Sequence, residues 1–346
     1  MNDLTLMALA GKTAAQANKA LTFENPRVGA VIVKDNVVLA TGYHHQFGQE
    51  HAEMNAFHQL KDPTQVIDAT MYVTLEPCST HGKVGSCAQS MVKWGLRRVV
   101  IGSIDPNPST NGHGVAILKQ AGIQVDVLNT EHSRRLNPEF HYYFEHRLPY
   151  VQLKLATSKN GIVSDNAKTR IKLTNHKADI DVHQERASKS AILVGSQTFL
   201  TDWPRLTVRY LALHHPQPLR IVLDRRGRLQ NIKFDFSNRW LIYTENHAFA
   251  EKHAYVKESH NGLIGVLNDL AQQQHIQSIM VEGGPSLIQS FIAQNLWNEY
   301  LIYRTDKLLS DSGLAGVTLQ QDSDEMLTIG NAVKSRYFNH LEKGVS

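Results

Sequence analysis

The chain has 346 residues, of which 42% are hydrophobic and 20% are charged, and its formal net charge at pH 7 is +4. This length allows two domains with cores of their own, which excludes the small folds that depend on disulfides. The 36 Lys and Arg residues are scattered along the chain. Scattered basic charge favours a phosphorylated small molecule over a nucleic acid as the partner, without excluding either.

The first segment, MNDLTLMALAGKTAAQ, predicts a helix with Asn2 or Asp3 as its cap. Its apolar stretch is short and follows an acidic residue rather than a basic region, which differs from a signal peptide. No run approaches the roughly 18 apolar residues of a membrane span. We therefore expect a cytoplasmic protein, in which paired cysteines more often bind metal or take part in redox chemistry than form disulfides.

Strand and helix signals alternate up to residue 128. VGAVIV (28–33) and VVLATGY (37–43) flank a KDN turn and predict a β-hairpin. Then follow a helix in HAEMNAFHQL, a strand in ATMYVTLEP, a helix from Cys87 to about Trp94, a strand in RRVVIGS, a helix in VAILKQAG and a strand in IQVDVL. A hairpin followed by βαβαβ predicts a sheet covered by helices.

A break is predicted in LNPEFHYYFEHRLPY (136–150), which is aromatic and contains two prolines. A second series of strands follows in VQLKLATS, AILVGS, LRIVLD, RWLIYTE, SIMVEGG and EYLIYRT, with helices around 175–188, 263–274 and 285–296. The pattern predicts two α/β domains, residues 1–146 and 147–346.

Cys78 and Cys87 are the only cysteines, and both lie in one loop, LEPCSTHGKVGSC. A disulfide could close this loop, but the predicted compartment is against it. Together with HAE at 51–53, the loop matches the signature of nucleobase deaminases, in which His and two Cys bind zinc and Glu is the general acid/base. We expect His51, Cys78 and Cys87 to be the ligands and Glu53 to be the catalytic group. Three protein ligands leave the fourth zinc position to a reactive water.

Other interpretations of this loop stay open. His81 could supply a fourth ligand and make the zinc structural, and a His with two thiolates suits zinc best without excluding other metals. The deaminase signature has two residues between its cysteines, whereas this chain has eight, including Gly82 and Gly85. The enlarged loop, with Thr80 and Lys83 beside His81, predicts contacts to a substrate with a phosphate tail.

In the second half, the strand of SIMVEGGPSLIQSF runs into two glycines, and a helix begins at Pro285, a residue suited to the first helical position. Free backbone N–H groups at the start of this helix could bind a phosphate against Gly284 to Ser286, although a tight turn without a ligand has the same pattern. No G-x-G-x-x-G follows a predicted strand, which argues against a Rossmann domain. We expect exposed side chains at Arg225, Arg226 and Arg228, which lie beside a turn glycine and whose role would be solubility.

Several segments resemble a known enzyme family. NPRVGAVIV, HAE, TLEPCSTHGKVGSC, DPNP and AGIQV are similar to the deaminase domain of the bifunctional deaminase/reductases of riboflavin biosynthesis, and PYVQLKLATS, AILVGSQTFLTDWPRLTVR and VEGGPSLIQSFI to the reductase domain. The resemblance implies a cytidine-deaminase-like three-layer α/β/α domain followed by a dihydrofolate-reductase-like α/β domain. It also implies a homodimer or larger homo-oligomer.

The chemistry implied by this resemblance has two steps. The first is zinc-dependent hydrolytic deamination of 2,5-diamino-6-ribosylamino-4(3H)-pyrimidinone 5′-phosphate. The second is NADPH-dependent reduction of the ribosyl group to ribityl, which gives 5-amino-6-ribitylaminouracil 5′-phosphate. No nucleic-acid or membrane partner is implied.

The family's contact residues match positions in this chain. Its cofactor contacts correspond to Ala156, Lys172, Thr198, Asp202, Gly284, Pro285, Ser286, Leu287, Ile288, Gln289 and Ser290. Its substrate contacts correspond to Arg170, Arg186, Leu206, Arg209 and Glu282. Arginine suits such a site because its guanidinium binds phosphate with two parallel hydrogen bonds.

Three positions depart from the family's pattern. Asn160 stands in a segment that is often SLDG, Arg170 replaces a usual serine, and Lys172 replaces a usual tryptophan. We hypothesise that Arg170 and Lys172 compensate for the lost aromatic stacking with phosphate contacts.

Two other functions fit parts of the sequence. A zinc deaminase that edits tRNA or single-stranded DNA would use the same ligands, but it needs a basic channel with stacking aromatics, and no dense basic and aromatic run occurs here. The departures also leave open a second half that binds without catalysis. Oxidation of NADPH in the presence of deaminated substrate would distinguish an active reductase from such a module.

Overall fold

Residues 1–79, 86–165, 171–236 and 238–340 are described by a computed structural model of the chain. The chain divides into two units, Met1–His146 and Arg147–Ser346. Each unit has a hydrophobic core of its own. Among the described residues, the helices are too short or too polar to cross a membrane.

The first unit is built on a five-stranded sheet. Its strands are β1 (Gly29–Lys34), β2 (Val37–Tyr43), β3 (Thr70–Val73), β4 (Arg98–Ile101) and β5 (Gln124–Val127), in the order β2-β1-β3-β4-β5. Strand β1 is antiparallel to β2 and β3, whereas β3, β4 and β5 are parallel. The predicted hairpin followed by βαβαβ is confirmed.

Helices cover both faces of this sheet. They are α1 (Asp3–Ala14), α2 (Lys19–Thr22), α3 (Ala52–His58), α4 (Cys87–Trp94), α5 (His113–Gln120), α6 (Glu131–Arg135) and α7 (Pro138–His146), with a 3-10 helix at Pro63–Val66. Side chains alternate along β1, so Ala30 and Ile32 join the core that contains residues of α3, α4 and α5, while Val31 packs with Leu6 and Met7 of α1. This alternation gives three layers, α/β/α.

The segment predicted as a break, residues 136–150, contains helix α7. The helix forms beside the break because proline interrupts a helix only in its interior, and here Pro138 is the first helical residue. The chain divides between the two units directly after α7, at His146.

The second unit is built on a nine-stranded sheet. Its strands are β6 (Tyr150–Thr157), β8 (Ala191–Gly195), β9 (Leu219–Leu223), β10 (Trp240–Thr244), β11 (Val256–Glu258), β12 (Ser278–Val281), β13 (Glu299–Thr305), β15 (Glu325–Ile329) and β16 (Ala332–Phe338). Strands β7 (Ile162–Ser164) and β14 (Leu314–Ala315) form a separate pair. The order of the large sheet is β11-β10-β9-β8-β12-β6-β13-β16-β15, and its pairings are parallel except for β13 with β16 and β16 with β15, which are antiparallel.

The second sheet is also covered on both faces. The helices are α8 (His176–Ala187), α9 (Ser196–Asp202), α10 (His247–Ala250), α11 (Gly262–Gln272) and α12 (Pro285–Ala293). One core joins α11 and α12 to the sheet, and others lie under α8 and α9. Strand β12 lies between β6 and β8, so the chain order reverses near this point. In open α/β sheets, ligands bind at the carboxyl ends of the strands at such a reversal.

Candidate active sites

The first candidate site lies where three segments of the first unit meet. His51 is the N-terminal cap of α3, in extended conformation, and Cys87 is the first residue of α4. Cys78 lies in the loop after β3. His51 Nδ1 is 3.6 Å from Cys78 Sγ and 3.3 Å from Cys87 Sγ, and the three ligand atoms lie within 4.8 Å of one another. The two thiols are not joined by a disulfide.

These distances fit a tetrahedral zinc ion. Ordinary Zn–S and Zn–N bond lengths place the ligand atoms about 3.5–3.8 Å apart. The three side chains therefore already stand near the spacing that zinc requires. Thr80, His81, Gly82, Lys83 and Gly85 lie outside the described residues, so the predictions made for that loop stay predictions.

The charges at this site depend on hydrogen bonds among the ligands. Hydrogen bonding from Cys87, aided by His51, lowers the pKa of Cys78 to about 4. The same Cys78 raises the pKa of His51 to about 9, and it raises the pKa of Cys87 well above the usual range. These shifts favour the thiolate form of Cys78 and oppose loss of the His51 proton. Metal binding requires deprotonated ligands, so it releases protons.

Glu53 lies in the first turn of α3, two residues after His51, and is only 3% exposed. Burial raises the pKa of this carboxyl, against the opposing effect of His51. The carboxyl also hydrogen-bonds the Cys87 thiol. A carboxyl with a raised pKa next to a metal site is suited to take up and return a proton.

Glu76 supports this site and was not among the predicted residues. It is 4% exposed, and its carboxylate accepts the N–H groups of Asp105 (3.3 Å), Gly112 (3.0 Å) and Val115 (3.1 Å). These bonds fasten the loop before α5 and the first turn of that helix to the segment that carries Cys78. The motifs TLEPC and DPNP contain the carboxylate and the start of that loop, but the sequence does not show that they meet.

The second candidate site is a cavity of about 400 Å³ at the carboxyl ends of β6, β8 and β12. Its wall contains most of the predicted cofactor and substrate contacts: Ala156, Lys172, Arg186, Thr198, Asp202, Leu206, Arg209, Glu282, Gly284 and Pro285. Arg170 lies outside the described residues. The structure thus brings together residues that are up to about 130 positions apart in the sequence.

Arg186 and Glu282 form a bidentate ion pair in this cavity. Nε of Arg186 donates to one carboxylate oxygen at 2.5 Å, Nη2 donates to the other at 2.9 Å, and Nη1 donates to the Thr207 carbonyl at 3.1 Å. Burial opposes ionisation of Glu282, but Arg186 and Lys154 outweigh it and lower its pKa to about 2. The two parallel hydrogen bonds that we expected Arg186 to offer a phosphate are therefore made to Glu282.

Lys154 is a further residue in this wall that the sequence did not indicate. It lies on β6 with a side chain that is 15% exposed, and its Nζ is 3.8 Å from the Glu282 carboxylate. Burial lowers the pKa of Lys154, and Glu282 opposes that effect. The ammonium group is a hydrogen-bond donor inside the cavity.

Lys172 and Asn160, two departures from the family's pattern, have protein partners. Lys172 Nζ is 2.9 Å from an Asp179 carboxylate oxygen, and its side chain is 63% exposed. Asn160 accepts from the Ser158 hydroxyl at 2.7 Å and donates to the Leu309 carbonyl at 2.8 Å. Asn160 thus fastens a loop, while the phosphate contact hypothesised for Lys172 stays a prediction.

A second cavity, of about 590 Å³, lies beside the first and shares Thr198, Gly284 and Pro285 with it. Gly284 caps α12 in extended conformation, and Pro285 is the first helical residue. Ser286, Leu287 and Ser290 also line this cavity. Ile288 is fully buried in the core, so only its backbone could meet a ligand, and Gln289 is exposed outside the lining.

Three arginines complete the wall of the second cavity: Arg225, Arg226 and Arg228. All three are exposed, as expected of residues that favour solubility. Their position against the start of α12 was not predicted. The wall therefore joins three guanidinium groups to free backbone N–H groups, a combination suited to phosphate.

Comparisons with known proteins cover both units of the chain. Residues 1–103 match the family model "Cytidine and deoxycytidylate deaminase zinc-binding region", and residues 149–330 match "RibD C-terminal domain". The riboflavin biosynthesis protein RibD of Escherichia coli is 35% identical over 341 residues, which cover 92% of each chain. That of Buchnera aphidicola is 33% identical over 334 residues, which cover 90% of this chain and 89% of the relative.

Solved structures extend the similarity to the fold. Acinetobacter baumannii RibD (form 1) superposes with a TM-score of 0.79 at 31% identity, covering 96% of this chain and 97% of the other. A diaminohydroxyphosphoribosylaminopyrimidine deaminase/5-amino-6-(5-phosphoribosylamino)uracil reductase from Thermotoga maritima superposes with a TM-score of 0.78 at 30% identity, with the same coverage. The predicted fold class, a cytidine-deaminase-like unit followed by a dihydrofolate-reductase-like unit, is confirmed.

Proposed function

The chain belongs to the RibD family of bifunctional riboflavin biosynthesis enzymes, and on that premise we propose how its residues divide the two reactions. Members of this family join a zinc-dependent deaminase to an NADPH-dependent reductase. Residues 1–146 would deaminate 2,5-diamino-6-ribosylamino-4(3H)-pyrimidinone 5′-phosphate. Residues 147–346 would then reduce the ribosyl group of the product to ribityl.

The deaminase assignment rests on one observation, the convergence of His51, Cys78 and Cys87 beside the buried carboxyl of Glu53. These three ligands would hold the zinc, which when bound supplies the acidity that makes water nucleophilic near neutral pH. Glu53 would take a proton from that water and deliver it to the amino group that leaves as ammonia. Glu76 would hold the neighbouring loop in place.

Metal analysis and ammonia release test the deaminase assignment. We expect about one zinc per chain in the wild type and little in Cys87→Ser, because two ligands do not hold zinc as three do. Glu53→Gln should keep the zinc and lose at least about a hundredfold in ammonia release, since it removes a proton carrier and no ligand. Zinc in Cys87→Ser at the wild-type level, or ammonia release by Glu53→Gln at the wild-type rate, would contradict the assignment.

The reductase assignment is supported by the two adjoining cavities. The second cavity would hold NADPH, the hydride donor, with Thr198 and the start of α12 around its pyrophosphate and Arg225, Arg226 and Arg228 around its 2′-phosphate. The first cavity would hold the substrate. Lys154 would donate a hydrogen bond to the ribosyl oxygen as the sugar carbon accepts hydride, because its ammonium lies inside that cavity.

Oxidation of NADPH by the purified chain tests the reductase assignment. The chain is incubated first with the diamino substrate, so that its own deaminase supplies the deaminated compound, and NADPH absorbance is then followed. We expect Lys154→Met to lose most of the rate while it keeps NADPH affinity. A wild-type chain that binds NADPH but does not oxidise it would favour a noncatalytic second unit instead.

The remaining assignments follow from family membership and from the scattered basic charge. We propose a homodimer or larger homo-oligomer in the cytoplasm, with a phosphorylated ribosylaminopyrimidine as substrate and no nucleic-acid or membrane partner. Sedimentation analysis of the purified chain tests the assembly.

A further inference from the structure

His183 lies on α8 in the wall of the substrate cavity and is only 3% exposed. The sequence around His183 contains no motif that indicates a role for it. Its Nδ1 accepts the backbone N–H of Arg209 at 2.9 Å. Its ring also packs against Tyr210, with 4.5 Å between the ring centroids. The histidine thus contacts two consecutive residues of the segment that follows α9.

This segment needs such contacts because it has no helix or strand of its own. Between Asp202, where α9 ends, and Leu219, where β9 begins, the backbone is irregular. Gln217 fixes one point by exchanging hydrogen bonds with the N–H and C=O of Val208, at 2.8 and 3.0 Å. The bond to His183 fixes the next residue, Arg209. In this segment, hydrogen bonds from side chains fix the backbone, as backbone–backbone hydrogen bonds between neighbouring strands do in a sheet.

The hydrogen bond also determines the state of the ring. Because Nδ1 accepts, the ring is neutral and carries its proton on Nε2. Nε2 lies 3.5 Å from Nη1 of Arg186, and two donors at that distance make a contact rather than a hydrogen bond. Burial, together with Arg186 and Arg209, lowers the pKa of His183 to about 4, which keeps the ring neutral at physiological pH.

The two arginines of this cavity differ in what they can offer a ligand. Arg186 uses Nε, Nη1 and Nη2 in hydrogen bonds to Glu282 and Thr207. Arg209 is exposed, and in the described part of the chain only its Nη1 has hydrogen-bond partners, the carbonyl and hydroxyl oxygens of Thr207. Arg209 is therefore the guanidinium with donors to spare for an anion.

We propose that His183 is a positioning residue for the reductase substrate. By accepting the N–H of Arg209, its neutral imidazole fixes the backbone from which the Arg209 side chain reaches the phosphate of the substrate. The role rests on the proposed function of the second unit. It is distinct from catalysis, because His183 acts through Arg209 and needs no contact with the reacting atoms.

Three substitutions of His183 in the full-length chain distinguish the contribution of Nδ1 from that of Nε2. Asn can place an amide oxygen where Nδ1 lies, whereas Gln places its amide group near Nε2 and Ala does neither. We expect His183→Asn to stay within about twofold of the wild-type KM for deaminated substrate. His183→Gln and His183→Ala should raise that KM about tenfold, as expected for the loss of one hydrogen bond that positions a charge.

Two binding measurements and a double mutant accompany the kinetics. Calorimetry with ribose 5-phosphate as the probe should show a Kd close to that of the wild type for His183→Asn and a higher Kd for His183→Gln and His183→Ala. The Kd for NADPH should stay unchanged in all three variants. General damage to the unit would weaken both ligands. In an Arg209→Ala background, which keeps the backbone N–H, His183→Ala should add less than about twofold, because the side chain it positions is absent.

The outcomes are distinct. The proposal is overturned if Gln preserves substrate and probe affinity while Asn loses it, if all three variants behave as the wild type, or if the effects of His183→Ala and Arg209→Ala multiply. If the wild type binds ribose 5-phosphate but does not oxidise NADPH, the proposed reductase activity fails. In that case the order of the variants in probe binding still decides the role of His183.

Discussion

Arg225, Arg226 and Arg228 have the same exposure that solubility would require, yet they line the cavity at the start of α12. Arg228 donates to the Gln197 side chain at 3.0 Å, and Arg225 Nε is 3.9 Å from a Glu245 carboxylate oxygen. Neither contact neutralises the group as Glu282 neutralises Arg186. The net positive charge of this wall matches the one charged group that distinguishes NADPH from NADH, the 2′-phosphate.

Replacing these three arginines should change the choice of cofactor. We expect the triple variant Arg225→Ala, Arg226→Ala, Arg228→Ala to weaken NADPH binding by about tenfold or more and to leave NADH binding within about twofold, because charge-assisted bonds to the 2′-phosphate are lost. Fluorescence titration of both cofactors measures the ratio. Lys252→Ala, which removes an exposed positive charge elsewhere in the same unit, is the control. Equal losses for both cofactors would place the arginines away from the 2′-phosphate.

Residue types and spacing predict the metal site better than the anion sites. An H-x-E segment followed by a P-C segment is typical of few kinds of site other than a zinc deaminase centre. The residue types and their order therefore predict the metal site directly. An arginine has many uses, and which one applies depends on its neighbours. Arg186 meets Glu282 across 96 positions and Arg209 meets His183 across 26, and neither separation follows any local period.

At the scale of elements, two adjacent glycines precede α12, and they differ in how much space a side chain would have. A Cβ on Gly283 would lie 2.7–3.1 Å from Cδ2, Cβ and Cγ of Leu287, in the first turn of the helix. A Cβ on Gly284 would meet only the Thr198 hydroxyl, at 3.7 Å, which is an ordinary contact. The close approach at Gly283 fixes where the helix begins, and so where its free N–H groups face the second cavity.

The paired substitutions Gly283→Ala and Gly284→Ala test this constraint. Gly283→Ala should destabilise the unit by about 1–3 kcal/mol and weaken NADPH binding, because Leu287 and the first turn must move. Gly284→Ala should change stability little, since its backbone is compatible with alanine. Urea unfolding and NADPH titration measure both variants. A Gly283→Ala protein as stable as Gly284→Ala and the wild type would show that the turn tolerates a side chain at either position. An equally large loss in both variants would show that Gly284 is constrained as well.

Elements whose patterns are strong are predictable from the sequence, and those with mixed patterns are not. Strand β12 is buried at all four positions, and two glycines follow it after Glu282, so the strand and the start of α12 at Pro285 follow from the sequence. The predicted helix extended to residue 296, whereas α12 ends at Ala293. Strand β15 is exposed at four of its five positions, including Met326 and Leu327, so it shows no buried face to recognise. Strand β15 forms because its backbone pairs with β16, and its own residue pattern does not indicate a strand.

At the scale of the whole molecule, the second unit holds buried carboxylates that acid will protonate. Burial opposes the ionisation of Glu185, but Lys334, Lys189 and Arg336 outweigh it and lower its pKa to about 2, as Arg186 and Lys154 do for Glu282. A group whose pKa is lower in the folded state stabilises the fold above its unfolded pKa, here about 4.5, and loses that effect as pH falls towards 2.

Stability should therefore fall between pH 4.5 and pH 2, with a contribution on the order of 3 kcal/mol from Glu282. Urea midpoints across this range measure the loss. Glu282→Gln should be less stable than the wild type at pH 7 but should show a shallower loss in acid, because the titrating group is absent. Parallel curves for the two proteins would assign the acid loss to other groups, metal release included.

Two units with separate cores and separate ligands should respond to those ligands separately. A ligand that binds only the folded state stabilises the unit that binds it, by about 2.7 kcal/mol at a hundred times its Kd. In scanning calorimetry of the full chain, we expect a zinc chelator to lower the transition of the first unit alone and NADPH to raise that of the second alone. Cys87→Ser should abolish the response to the chelator and keep the response to NADPH, since the cysteine belongs only to the metal site. A single transition that moves with both ligands would instead show that the units unfold together, because stabilisation at either site would then be transmitted to the whole chain.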